Sequence, residues 1–169
     1  MATTHARQPR QSVFNPARIP RVNTYEISTD PSRLQLAAIH AYLTRSYWSP
    51  GIPKEVVARA IANSVCFGLY DLQGPTDTQV GFARVVTDKA SFAYLADVYV
   101  LEEHRGHGLG KRLIDAVMAH PALTGARRAM LGTRDAHGLY ARHGFAAPPG
   151  DGVLMQILKP DMYRNGSRD

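Results

Sequence analysis

The chain is 169 residues long, 44% apolar and 20% charged, a size and composition that suit one globular domain with one sizeable core. Nothing in it approaches the roughly 18 consecutive apolar residues of a membrane span, and its single cysteine, Cys66, excludes an internal disulfide and a cysteine-built metal cluster. The net charge of +6 leaves anionic partners to be weighed.

Residues 1–24 open the chain as a basic arm. Arg7, Arg10, Arg18 and Arg21 occur there with no acid, punctuated by Pro9, Pro16 and Pro20. This predicts a flexible segment serving solubility or packing in preference to nucleic-acid contact. No apolar run follows the basic start, so no secretory signal is expected and the cytoplasm is the expected compartment. A short strand is predicted at Tyr25–Ser28. Thr29-Asp30-Pro31-Ser32 then signals a helix start, and Leu34, Leu36, Ala37, Ile39, His40 and Leu43 carry helical spacing. The stretch from Ser46 to Pro53 breaks that helix. A second is predicted from Lys54 to Asn63, with Val56, Val57, Ala60 and Ile61 at core spacing.

Strands are predicted next over 65–71, 80–87 and 92–100, joined as hairpins by Gly74-Pro75-Thr76-Asp77 and Asp88-Lys89-Ala90. Cys66 falls in the first of them among apolar neighbours, where a thiol packs and does not react. Further on come a helix over 109–119, a strand over 129–133, a short helix over 136–143 stopped by Gly144, and a last strand over 153–158. Hairpins followed by a βαβ unit predict a mixed α/β (α+β) fold, a mostly antiparallel sheet with helices on both faces. The expected division is an arm at 1–24, a single domain at 25–160 and a tail at 161–169.

Between the third hairpin strand and the following helix lies Glu102-Glu103-His104-Arg105-Gly106-His107-Gly108-Leu109-Gly110-Lys111-Arg112. Glycines at a strand-to-helix turn let the backbone approach a ligand, and the free N–H groups of a helix start attract anions. His104, Arg105, His107, Lys111 and Arg112 crowd a helix end that would otherwise favour acids, which makes sense if a polyanion lies among them. The spacing is neither that of the P-loop nor that of the dinucleotide fingerprint.

Arg105-Gly106-His107-Gly108-Leu109-Gly110 resembles the Arg/Gln-x-x-Gly-x-Gly/Ala signature of the GNAT superfamily of acyl-CoA-dependent N-acyltransferases. A second segment, Ala136-His137-Gly138-Leu139-Tyr140-Ala141-Arg142-His143-Gly144-Phe145, resembles the family's Ala-x-x-Leu-Tyr-x-x-x-Gly-Phe. The resemblance spans about Tyr25 to Leu158 and is specific from Tyr94 to Phe145. It implies a splayed parallel strand pair within the sheet and acetyl-CoA as co-substrate, with no metal required. Val98, Tyr99 and Val100 would offer a free strand edge to the pantetheine arm. The backbone amides of Arg105, Gly106, His107, Gly108, Leu109, Gly110 and Lys111 would bind the pyrophosphate. Tyr140 would donate to the departing thiolate, and Asp97 is the leading candidate base, with Tyr94, His137 and His143 as rivals. Tyr47, Trp48, Arg84 and Tyr94 are candidate contacts for the acceptor, Arg84 for a carboxylate on it. Thr133 stands where many relatives have Asn.

The implied reaction is transfer of an acetyl group to a primary amine by direct attack in a ternary complex, with a small amine or amino acid as the favoured acceptor. A noncatalytic acyl-CoA-binding regulator, and an acyltransferase acting on a protein or on aminoacyl-tRNA, stay open. No membrane partner is expected, nucleic acid is disfavoured, and a homodimer is compatible with the sequence.

Overall fold

The computed structural model describes residues 24–150, 154–159 and 163, so the expected arm lies outside the described residues apart from Thr24, and the expected tail apart from Tyr163. Five strands form one sheet in the order β1 (Tyr25–Ser28), β2 (Val65–Asp71), β3 (Thr78–Thr87), β4 (Phe92–Val100) and β5 (Arg128–Leu131). The first four pair antiparallel, and β4 pairs β5 in parallel. This is the mixed, mostly antiparallel sheet the sequence predicts.

Helices α1 (Leu36–Leu43) and α2 (Lys54–Ala62) cover one face, and α3 (Leu109–Ala119) with the short α4 (Pro121–Thr124) covers the other. Alternation along the strands produces this division. Cys66 and Phe82 pack with Ile39, Leu43 and Val57, whereas Phe67, Ala83 and Val85 pack with Leu113, Ile114 and Val117. Burying a Phe, Leu, Ile or Val among these fully stabilises the fold by about 1.5–3 kcal/mol relative to leaving it exposed. Between β5 and the end of the domain lies α5 (His137–Ala141).

Three differences from the sequence prediction have simple causes. Helix α1 begins two residues after Leu34, because Asp30 caps a separate 3-10 turn at Pro31–Arg33 by accepting from the Ser32 N–H at 2.8 Å. Helix α4 has no periodic signal, being a single turn that starts on Pro121 and is capped by the His120 ring, which accepts from the Ala122 N–H. Among the described residues the expected last strand is absent. Residues 154–159 carry no secondary structure, and Met155 and Ile157 are each 94% exposed. An apolar run becomes a strand only beside a partner strand, and among the described residues none pairs with this one.

The feature that makes a site is the divergence of β4 from β5. Their pairing stops at Leu95 opposite Leu131, while β4 continues to Val100. On the other edge Ala96 faces Arg84 and Tyr99 faces Phe82, so that Asp97 and Val98 together oppose Ala83. Asp97 takes the left-handed conformation, with φ of 54°. Asp is among the few non-glycine residues that tolerate this region, and such a bulge bends a strand and strengthens its twist.

Candidate active site

The gap between the diverging strands opens into a cleft of about 1630 Å³. Its walls include Val98, Tyr99 and Val100 of β4, Arg105, Gly106, Gly108, Leu109 and Gly110 of the loop, and Tyr140 of α5. Tyr47, Trp48, Arg84, Tyr94 and Asp97 line the same cleft. Most residues singled out from the sequence are therefore brought together in one place.

The glycine loop is built as an open cradle. Gly106 and Gly108 have φ of 82° and 71°, conformations that glycine adopts without cost. A Cβ placed on Gly106, Gly108 or Gly110 would meet no atom within 4 Å. Among the described residues the N–H groups of residues 106–111 find no backbone acceptor, and Gly108, at the cap position of α3, has no side chain to satisfy them. Such a row of outward N–H donors at a helix start fits a pyrophosphate.

The cations around the loop behave differently from the sequence expectation. Only Arg105 among them lines the cleft, donating through Nε to the Val100 carbonyl at 3.0 Å and through Nη2 to the Tyr42 hydroxyl at 3.3 Å. His104 shares a hydrogen bond with the Tyr25 hydroxyl at 3.0 Å, His107 lies against the His104 carbonyl, Lys111 pairs with Asp115 and Arg112 donates to the Tyr25 carbonyl. The side chains of His107 and Lys111 thus lie outside the cleft walls, and what these residues can offer an anion is their N–H groups. The crowd of charge ties the loop to β1 and α3.

On the opposite side, Asp97 sits where β4 bulges and its carboxylate is firmly held. Arg84 donates Nε to Oδ2 at 2.7 Å, and Trp48 donates Nε1 to Oδ1 at 3.2 Å. The two ion-pair side chains are 17% and 10% exposed. Arg84 also donates to the Ser64 hydroxyl at 3.1 Å, so it is committed to the protein more than its expected role as a carboxylate ligand assumed. A smaller pocket of about 140 Å³, lined by Leu43, Val57 and Phe82 and by Arg84 and Asp97 themselves, lies against this pair.

The segment between α1 and α2 spans the opening. Tyr47 accepts from the Arg134 N–H at 3.3 Å, and its ring lies 4.2 Å beneath the Arg134 guanidinium. Trp48 packs edge-on against Tyr47, with centroids 5.0 Å apart. Tyr42 stacks on Tyr99 at 3.7 Å. Tyr42 and Arg134 were not apparent from the sequence. The first reads as one more apolar position of an amphipathic helix, and the second lies in a loop without any motif.

Tyr140 is buried between this strap and α3, and its ring meets Phe145 edge-on at 6.1 Å. Burial pushes its phenol up to about 12, with Tyr47 and Asp135 adding to the rise. It therefore holds its proton across the physiological range. Thr133 accepts from the Ala136 N–H at 3.0 Å and so secures the turn into α5. Of the rival bases, His143 lies 3.4 Å from Asp115 and belongs to the α3 side, while Tyr94 borders the cleft at 38% exposure. Cys66 is buried in the α1/α2 core, outside the cleft walls, and burial raises its thiol to about 11.

Comparison with known proteins agrees with this geometry. The acetyltransferase (GNAT) domain family matches residues 62–147. A protein of Gibberella zeae named as an acetyltransferase is 37% identical, with the match covering 70% of this chain and 77% of the relative. The crystal structure of a protein from Xanthomonas campestris pv. campestris, assigned to the GNAT family, is 50% identical, with a TM-score of 0.76 over 82% of this chain and 96% of that one. A Mycobacterium tuberculosis protein solved in complex with CoA shares the fold at 19% identity, with a TM-score of 0.58 over 76% of each chain. The divergent β4–β5 pair, the glycine cradle and the tyrosine of α5 thus agree with sequence similarity across the domain: this chain belongs to the GNAT acetyltransferase family.

Proposed function

We propose that the protein is an N-acetyltransferase that moves the acetyl group of acetyl-CoA directly to a primary amine within a ternary complex. The observation that carries this is the convergence of one cleft on three groups: the open N–H cradle at 106–111, the free edge of β4 and the buried phenol of Tyr140. The cradle binds the pyrophosphate. The peptide groups of Val98, Tyr99 and Val100 extend the sheet to the pantetheine arm, although the Val100 carbonyl already accepts from Arg105. The thioester then lies near the bulge at Asp97.

The chemistry follows from these positions. The neutral amine nitrogen attacks the thioester carbonyl carbon, a C–N bond forms and the C–S bond breaks. Asp97 docks the amine and removes its proton, the Tyr140 phenol gives its own to the departing thiolate, and the proton on Asp97 returns to Tyr140 through solvent, so that amide and CoA thiol leave with the enzyme restored. One observation favours a second assignment for Asp97. Both of its oxygens already accept hydrogen bonds, so it holds Trp48 and the bulge in place while water takes the proton. Direct transfer is favoured because the only thiol is buried and protonated. We place the enzyme in the cytoplasm, and the domain at 25–160.

The test is Tyr140→Phe, assayed with an acceptor found by following acetyl-CoA consumption over amines, amino acids, peptides and charged tRNA. The loss of one hydroxyl should lower kcat by about 10²-fold or more, with acetyl-CoA affinity preserved within a few-fold. The wild-type kcat should also show no fall near pH ~10, where an ordinary phenol ionises. Near-normal kcat in the variant removes Tyr140 as the acid.

A further inference from the structure

We propose that Arg134 is the anchor for a carboxylate carried by the acceptor, so that the substrates are amines bearing an acid group, amino acids in the broad sense. This rests on the acetyltransferase reading above and narrows its substrate class. Arg134 belongs to the loop between β5 and α5 and lines the cleft. The guanidinium carbon of this exposed residue lies 4.2 Å from the Tyr47 ring centroid, and its backbone N–H donates to the Tyr47 hydroxyl at 3.3 Å, so backbone and head group both meet Tyr47. A guanidinium held against an aromatic ring retains N–H donors for a planar, two-oxygen partner.

Among the described residues two of the four arginines lining the cleft, Arg134 and Arg45, have no ion pair, and of these only Arg134 lies over Tyr47, at 4.2 Å, Arg45 lying over Tyr42 at 5.9 Å. Arg84 is committed to Asp97, and Arg105 to the Val100 carbonyl with Glu102 at 3.7 Å. An unneutralised, pre-oriented cation in a cleft has its value in meeting a ligand's negative charge. Its neighbours place that charge on the acceptor. Tyr47 joins Arg134 to Trp48, and Trp48 joins Asp97, where the amine is docked. One aromatic wall therefore runs from Asp97, at the reacting end, to the guanidinium that attracts a carboxylate. This arrangement suits an amine that carries its acid group at the far end of the wall.

The test uses binding, so it does not depend on turnover. N-acetyl amino acids, the matching N-acetyl amides and N-acetylated phosphate-bearing amines are titrated calorimetrically onto the CoA complex of the wild type, of Arg134→Met and of Arg134→Lys. The carboxylates should bind at least tenfold more tightly than the amides. Arg134→Met should lose that preference, Arg134→Lys should recover part of it, because an ammonium keeps the charge without the two-pronged donor geometry, and acetyl-CoA affinity should stay within about twofold. Equal binding of carboxylates and amides overturns the proposal, as does a preference for phosphate. Loss of acetyl-CoA affinity in Arg134→Met also overturns it, by giving the arginine to the cofactor. Failure of wild-type protein to bind acetyl-CoA at all would instead remove the acetyltransferase reading itself.

Discussion

At the scale of single residues, the glycines of the loop differ in what they allow. Gly108 has φ of 71°, so any side chain there strains the backbone, and a loss of ligand binding on substitution would be ambiguous. Gly110 is already helical, is the second residue of α3, borders the cleft, and has open space where a Cβ would point. Gly110→Val should leave unfolding free energy within about 0.5 kcal/mol of the wild type, because valine is no worse than glycine in a helix. The same side chain would occupy the space assigned to the pyrophosphate and should weaken acetyl-CoA at least tenfold, about 1.4 kcal/mol. Calorimetry beside urea unfolding reads both quantities. A stable variant with unchanged affinity would move the cradle elsewhere. The glycines were legible in the sequence because their spacing is itself the signal. The destinations of His104, His107, Lys111 and Arg112 were not, since a side chain's partner depends on what the fold brings beside it.

At the scale of elements, the bulged end of β4 depends on the ion pair that crosses from β3. The Arg84–Asp97 pair is mostly buried, and its geometry is tight at 2.7 Å. Removing one partner of such a pair leaves an uncompensated charge, which costs about 3–5 kcal/mol. Arg84→Met should therefore lower unfolding free energy by about 3 kcal/mol, read from urea unfolding. A loss below about 1 kcal/mol would mean that water screens the pair as at a surface. Sequence periodicity located α3 to the residue, because Leu109, Leu113, Ile114 and Val117 alternate sharply with charged positions, and it located the hairpins through their turn residues. It carried less about the bulge, since nothing local marks Asp97 as left-handed. The expected strand at 153–158 failed for the opposite reason: a good strand pattern says nothing about whether a neighbour exists.

At the scale of the whole molecule, the sheet places two different chemistries at the ends of one gap. The loop at the head of α3 supplies backbone donors, and the strap between α1 and α2 supplies aromatic faces with Asp97 and Arg134 at their limits. Both ends act on the same thioester only if the two substrates are present together, and the buried Cys66 offers no way to store the acetyl group between them. The measurement that tests this most directly is the initial rate of CoA release with both substrates varied, together with rapid mixing of the enzyme with acetyl-CoA alone. Intersecting double-reciprocal lines and no CoA burst without acceptor are the expected result. Parallel lines with a stoichiometric burst of CoA would show an acetyl-enzyme and contradict direct transfer.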